Sequence, residues 1–182
     1  MSLLSTPLFS ALRRAIGAGL ATNLPGTALY AAIVAEARNP DWYLAGQVPD
    51  TMDGRFDMVA LALSLTLIRL EAEDQRQFCA DLTERFITDM DGSLRQDGVG
   101  DQVVGKHIGR MVAALGGRLG AYREALGNDA AFAEALRRNV WRGEPINDEA
   151  VAFVTAMARR LAGRLDATPL ARLTAGQIGL AA

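Results

Sequence analysis

The sequence predicts an all-α fold, a single domain of about seven packed helices. Three observations predict it. Apolar residues recur at three- and four-residue intervals along most of the 182 residues, which is the period of one helix face. Ala, Leu, Arg and Glu are abundant, and all are good helix formers. No stretch alternates apolar with polar residues, and β-branched residues are thin, so no strand is predicted. Half of the residues are apolar but only 6% are aromatic, so the core has to be built from Ala, Leu, Val, Ile and Met. A chain of this length buries such a core without disulfides or a structural metal. The one cysteine, Cys79, has no partner in the chain, and a reducing compartment is the default.

The organisation reads as an N-terminal amphipathic helix and linker (1–26), a helical domain (27–166) and a tail (167–182). From Thr6 to Ala21, Leu8, Leu12, Ile16 and Leu20 form a stripe with Arg13 and Arg14 off it. This helix docks on the domain or, by its cationic edge, makes a peripheral contact with a membrane surface. Asn23-Leu24-Pro25-Gly26 breaks it. The second helix starts near Thr27 as N-cap and buries Leu29, Tyr30, Ile33 and Val34. It ends at Asn39-Pro40, because a residue before proline avoids the helical region. An acidic–aromatic loop follows, through Asp41-Trp42-Tyr43 and Pro49-Asp50-Thr51-Met52.

The third helix, Gly54 to Glu71 with Asp53 as its expected N-cap, is apolar all round and therefore central. The fourth, Glu73 to Gln96, carries Phe78, Leu82, Phe86, Met90 and Leu94 at intervals of four. Asp81–Arg85 and Asp91–Arg95 are acid-before-base pairs on its wet side. Gly98 ends it and Asp101 caps the fifth helix, which runs to about Gly127. Gly109, Gly116, Gly117 and Gly120 weaken that helix, which suggests two helices in line or a closely approaching backbone. Ala130–Trp141 and a last helix, Glu149–Leu165 with Asp148 as cap, complete the domain. From Thr168 no pattern is clear.

Charge is uneven. Residues 1–40 carry three basic and one acidic residue, residues 41–104 five and thirteen, and residues 105–182 eleven and seven. The acidic middle and basic end give either two faces of different sign or mixing once the chain folds. The uncharged run Ala15–Ala35 is broken by Asn23, Pro25 and three glycines, and Met58–Ile68 is only 11 residues, short of a membrane span. A soluble chain on the cytoplasmic side is the expectation.

Searches for chemistry return little. His107 is the sole histidine, which excludes a multi-histidine zinc site. Cys79 beside an apolar stripe reads as a buried structural residue. No nucleophile elbow, phosphate loop or dinucleotide fingerprint is present. The basic pairs Arg137-Arg138 and Arg159-Arg160 complement helix C-termini, so direct nucleic-acid recognition is not expected. Asp50, Asp53 and Asp57, at spacings of three and four, and Asp89 and Asp91, close to Asp97 and Asp101, leave open an all-α enzyme that uses a divalent metal on an isoprenoid or quinone-like substrate. A helical scaffold binding a peptide, or haem through His107, is a third reading.

One ordered set of segments is specific. It comprises Ala37-Arg38-Asn39-Pro40-Asp41-Trp42-Tyr43, Val48-Pro49-Asp50-Thr51 and Gly54-Arg55-Phe56-Asp57. It continues through Asp89-Met90-Asp91, Leu94-Arg95, Gly98-Val99-Gly100-Asp101 and Val104 to Lys106. It closes with Gly117-Arg118, Ala121-Tyr122 and Arg137-Arg138-Asn139. The pattern resembles the ubiquinol–cytochrome c chaperone family. That resemblance implies a non-enzymatic assembly factor without a cofactor, which holds newly made cytochrome b before haem insertion and assembly of complex III. It further implies, in mitochondrial members, a small partner protein near the ribosome exit. For a chain of this size it implies the bacterial form, acting at the inner face of the plasma membrane.

A membrane-protein client calls for an apolar groove with charged edges. Trp42 and Tyr43 are the candidate anchors, aromatics being favoured at binding hot spots. Asp50, Arg55 and Asp57 form one charged edge, and Asp91, Arg95, Asp101 and Lys106 form another. Arg118 completes the candidate partner-binding set. The alternative for these charges is structural, with Arg55 buried and bridging Asp50 to Asp91 or Asp101.

Overall fold

A computed structural model describes residues 26–96 and 101–179, the side chains of 101–104 excepted. Its helices are α1 (Thr27–Ala37), α2 (Pro40–Leu44), α3 (Met52–Ala72), α4 (Arg76–Gln96), α5 (Asp101–Ala125), α6 (Asp129–Val140), α7 (Asp148–Ala167) and α8 (Leu170–Thr174). No strand occurs among the described residues. The predicted helix at 6–21 and the turn at 97–100 lie outside them.

The third predicted helix is central, as its all-round apolar pattern requires. From Phe56 to Leu67 every residue of α3 is buried, and α1, α4, α5, α6 and α7 all pack against it. Phe56 meets Phe86 of α4 with ring centres 5.8 Å apart, and Tyr122 of α5 meets Phe132 of α6 edge-on at 6.0 Å. Tilted and edge-on pairs add about 0.5–1.5 kcal/mol each beyond their buried area.

Three N-caps fall one or two residues from their predicted places. Thr51, not Asp53, caps α3, its Oγ1 accepting from the Gly54 amide at 3.1 Å. Asn147, not Asp148, caps α7 through the Ala150 amide at 2.7 Å. Gly26, not Thr27, precedes α1, in the left-handed region at φ 84°. The reason is common to the first two. Two candidate acceptors stand near each start, and the shorter or less charged one takes the cap. The free carboxylate then pairs with an arginine from elsewhere: Asp53 with Arg142 at 2.8 Å and Asp148 with Arg137 at 2.6 Å.

The segment expected to be a loop at 40–44 is a short helix. Pro40 presets its first turn, and Asn39 caps it by accepting from the Asp41 amide at 3.0 Å. The fifth helix is one continuous element of 25 residues. A Cβ added at Gly109, Gly116, Gly117 or Gly120 would meet nothing within 4 Å, so no close neighbour among the described residues explains those glycines. The tail forms α8, whose Leu173 is fully buried and which packs on α1.

The acidic middle and basic end mix on folding. Asp57 and Asp53 of α3 pair with Arg118 and Arg142, and Glu71 pairs with Arg123. Among the described residues no helix is long and apolar enough to cross a membrane.

Candidate functional site

Four helices build a cleft of about 350 Å³, a size in the range of ligand-binding pockets. Each contributes residues that its own period places on one face. From α1 come Val34 and, just past its end, Arg38. The first turns of α3 supply Met52, Arg55, Phe56 and Val59. The last turns of α4 supply Asp89, Met90, Ser93 and Leu94, and α5 supplies Met111. Three methionines from three helices thus share one lining. Thioether side chains are flexible and polarizable, and they suit a surface that has to fit varied apolar partners.

The cleft mouth is charged. Arg55 donates through Nε to Asp50 Oδ1 at 2.7 Å, and both groups are well exposed. The hydrogen bond from Arg55 holds the Asp50 carboxyl below its usual range. The Tyr30 hydroxyl donates to Asp89 Oδ2 at 2.9 Å. Burial, then the negative charge of Asp89, pushes the Tyr30 hydroxyl far above its ordinary value. Tyr43 donates to the Ala37 carbonyl at 2.9 Å. Burial raises its hydroxyl, Asp50 adds to the rise, and Arg55 and Arg38 oppose it. Among the described residues Arg38 makes no ion pair, and it is exposed.

The path of residues 49–54 depends on Gly54. A Cβ there would lie 1.9 Å from the Pro49 carbonyl oxygen, so only glycine lets the incoming loop cross the first turn of α3. This crossing places Asp50 against Arg55.

A second group of charges lies beneath. Asp57 is 1% exposed. Arg118 Nη2 donates to its Oδ1 at 2.5 Å, and Arg142 donates to Oδ2 through Nε at 2.8 Å and to Oδ1 through Nη2 at 3.2 Å. Arg118 also donates to the Asn139 carbonyl at 3.3 Å and lies over the Phe56 ring at 5.3 Å. Burial raises the Asp57 carboxyl above its ordinary range, and the two guanidiniums pull it back only in part. Arg142 holds a left-handed backbone, φ 56°. That conformation costs roughly 1 kcal/mol or more for a non-glycine residue, and its bonds to Asp53 and Asp57 fix it there.

The residues singled out from sequence therefore separate. Tyr43, Asp50 and Arg55 meet at the cleft mouth. Trp42 is not a surface anchor: it is 1% exposed, because the α2 turn carries the ring inward and its Nε1 donates to the Glu36 carbonyl at 2.9 Å. Asp57 and Arg118 are interior and pair with each other. Arg55 is neither buried nor a bridge to Asp91. Instead, Asp91 pairs along α4 with Arg95 at 2.8 Å. Lys106 is exposed on α5, and the side chain of Asp101 lies outside the described residues. Sequence reasoning missed Arg142 and the joint methionine lining. Arg142 sits in an irregular turn with no periodic signal, and the methionines become neighbours only through packing.

The aspartates of the first acidic cluster each face an arginine: Asp50 with Arg55, Asp53 with Arg142, and Asp57 with Arg118 and Arg142. Among the described residues, no group of three His, Cys, Asp or Glu is placed to hold a metal ion. Cys79 is buried, and burial pushes its thiol up to about 12, so it is protonated at neutral pH.

These elements describe an all-α domain with an apolar, charge-rimmed cleft. The family model for ubiquinol-cytochrome C chaperone matches residues 44–181. The chain belongs to that family. It is similar to the crystal structure of the Cbp3 homolog from Brucella abortus, with 34% identity over 83% of this chain and 85% of that one, and a TM-score of 0.73. No curated protein matches the chain.

Proposed function

We propose that this protein is a non-enzymatic chaperone that holds newly made cytochrome b during assembly of the ubiquinol–cytochrome c reductase complex, and that the client docks at the cleft. Membership of the chaperone family supports the class. One observation supports the place: Met52, Met90 and Met111 come together with Val34, Phe56, Val59 and Leu94 on one lining. An unfinished membrane protein exposes apolar helices to water. A lining of thioethers covers such segments without demanding one sequence, as promiscuous binders do. The charged rim keeps the empty chaperone dispersed.

Deletion in the organism that encodes the chain is expected to lower complex III and its b-type haem signal while other respiratory complexes persist. Affinity purification in mild detergent is expected to recover cytochrome b with the wild-type chain, and far less with Met52→Glu/Met111→Glu. Normal complex III in the deletion strain removes the reading.

A further inference from the structure

We propose that the cleft selects, within an apolar peptide segment of its client, an acidic side chain whose carboxylate lands on Arg38. This rests on the chaperone reading above and names the chemistry of the partner at the same cleft. Two guanidiniums line the cleft, Arg38 and Arg55. They differ in one respect. Arg55 is engaged by Asp50 at 2.7 Å, whereas Arg38 has no ion-pair partner among the described residues. The carboxylate of the lining itself, Asp89, already accepts the Tyr30 hydroxyl, and no ion pair joins it to Arg38 among the described residues. One planar fork of donors therefore stands open at the edge of an apolar lining. A carboxylate matches that fork with two parallel hydrogen bonds.

The occupant is a peptide rather than a lipid for two reasons. A phosphate headgroup is best held by several cations, and here the second arginine is already engaged. The apolar lining also comes from four helices and reaches the surface. Met52, one of its residues, is 42% exposed, and a segment several turns long would cover more of such a lining than one acyl chain would. Helices laid in grooves are read at such spaced anchors.

The test uses the full chain and three labelled apolar helical peptides that differ at one position, Glu, Gln or Lys, with binding followed by fluorescence anisotropy at low salt. The Glu peptide is expected to bind about three- to five-fold more tightly than the Gln peptide, the range of a partly exposed ion pair. In Arg38→Gln that preference disappears, and in Arg38→Glu the Lys peptide becomes the best ligand. Asp89→Asn, which removes a like charge but keeps an acceptor for Tyr30, strengthens binding of the Glu peptide. Arg38 is exposed and makes no ion pair among the described residues, so its variants are expected to keep the wild-type melting temperature.

A Glu-to-Gln ratio that Arg38 variants leave unchanged overturns the proposal, as does absence of binding by all three peptides. Displacement of peptide by lysophosphatidylglycerol micelles, dependent on Arg38 while the peptides show no charge preference, makes this a lipid site and also overturns it. The chaperone reading fails separately, through normal complex III in the deletion strain.

Discussion

At the start of α3, Asp57 faces inward while Asp50 and Arg55 face outward. The two groups use the same chemistry, carboxylate against guanidinium, at similar distances. Their surroundings differ: Asp57 is 1% exposed and its partner Arg118 is 11% exposed, whereas the Arg55 and Asp50 side chains are above 60%. Inside, water cannot replace a lost partner, so each bond fixes where α3, α5 and the turn after α6 sit. Outside, water competes at every moment, and the same pair contributes little to folding. The lesson is that the inner group holds the architecture, and the outer group is free to exchange partners, which the proposed docking rim needs.

The sharpest way to break this comparison is Asp57→Ala. It leaves the largely buried Arg118 without its carboxylate, while Arg142 keeps Asp53, and it is expected to lower stability by about 3 kcal/mol in urea denaturation. Arg55→Gln serves as its outer counterpart and is expected to leave the melting temperature unchanged. Equal effects from the two would end the distinction.

Alkaline pH sharpens it next. The buried Cys79, Tyr30 and Tyr122 all hold their protons above the ordinary values of 9.0 for the thiol and 10.0 for the hydroxyls. The unfolded chain releases those protons first, so it binds fewer protons than the folded chain and stability falls as pH rises. The fall begins near pH 9 and continues to about 12 for the thiol, which contributes a loss of about 2 kcal/mol by pH 10.5, while the two hydroxyls add about 1 kcal/mol each. Urea midpoints at pH 8, 9.5 and 10.5 measure it.

Two glycines give the smaller contrasts. Gly54→Ala, with its Cβ driven into the Pro49 carbonyl, is expected to cost about 2–3 kcal/mol and to loosen the mouth. Gly117→Ala, with open space around its Cβ, is expected to add about 0.5–1 kcal/mol. A loss from Gly117→Ala would show that α5 needs that glycine for a contact beyond the described residues.

How much of this was legible in the sequence follows from range. The central place of α3 was legible because it depends on a local pattern, apolar residues on every side of one helix. The long helices were legible for the same reason. Caps were legible only to within a residue or two, since Thr51 and Asp53 are both good acceptors, and the choice is made by Arg142, which lies 89 residues from Asp53. The burial of Trp42 was hidden because Asn39-Pro40 was read as the end of one helix, and it is also the start of the next. The cleft was the least legible part. Tyr43, Asp50 and Arg55 stood out in a compact motif, but Arg38, Met90 and Met111 reach the same place only through packing among α1, α4 and α5.

The methionine lining also carries a chemical liability. A thioether accepts one oxygen atom from peroxide and becomes a polar sulfoxide. Met52 is the most accessible of the three, at 42%, and Met90 is 8% exposed, so oxidation would start at the rim and wet the lining from outside. Oxidative stress would then blunt this protein without unfolding it, and a methionine sulfoxide reductase would restore it.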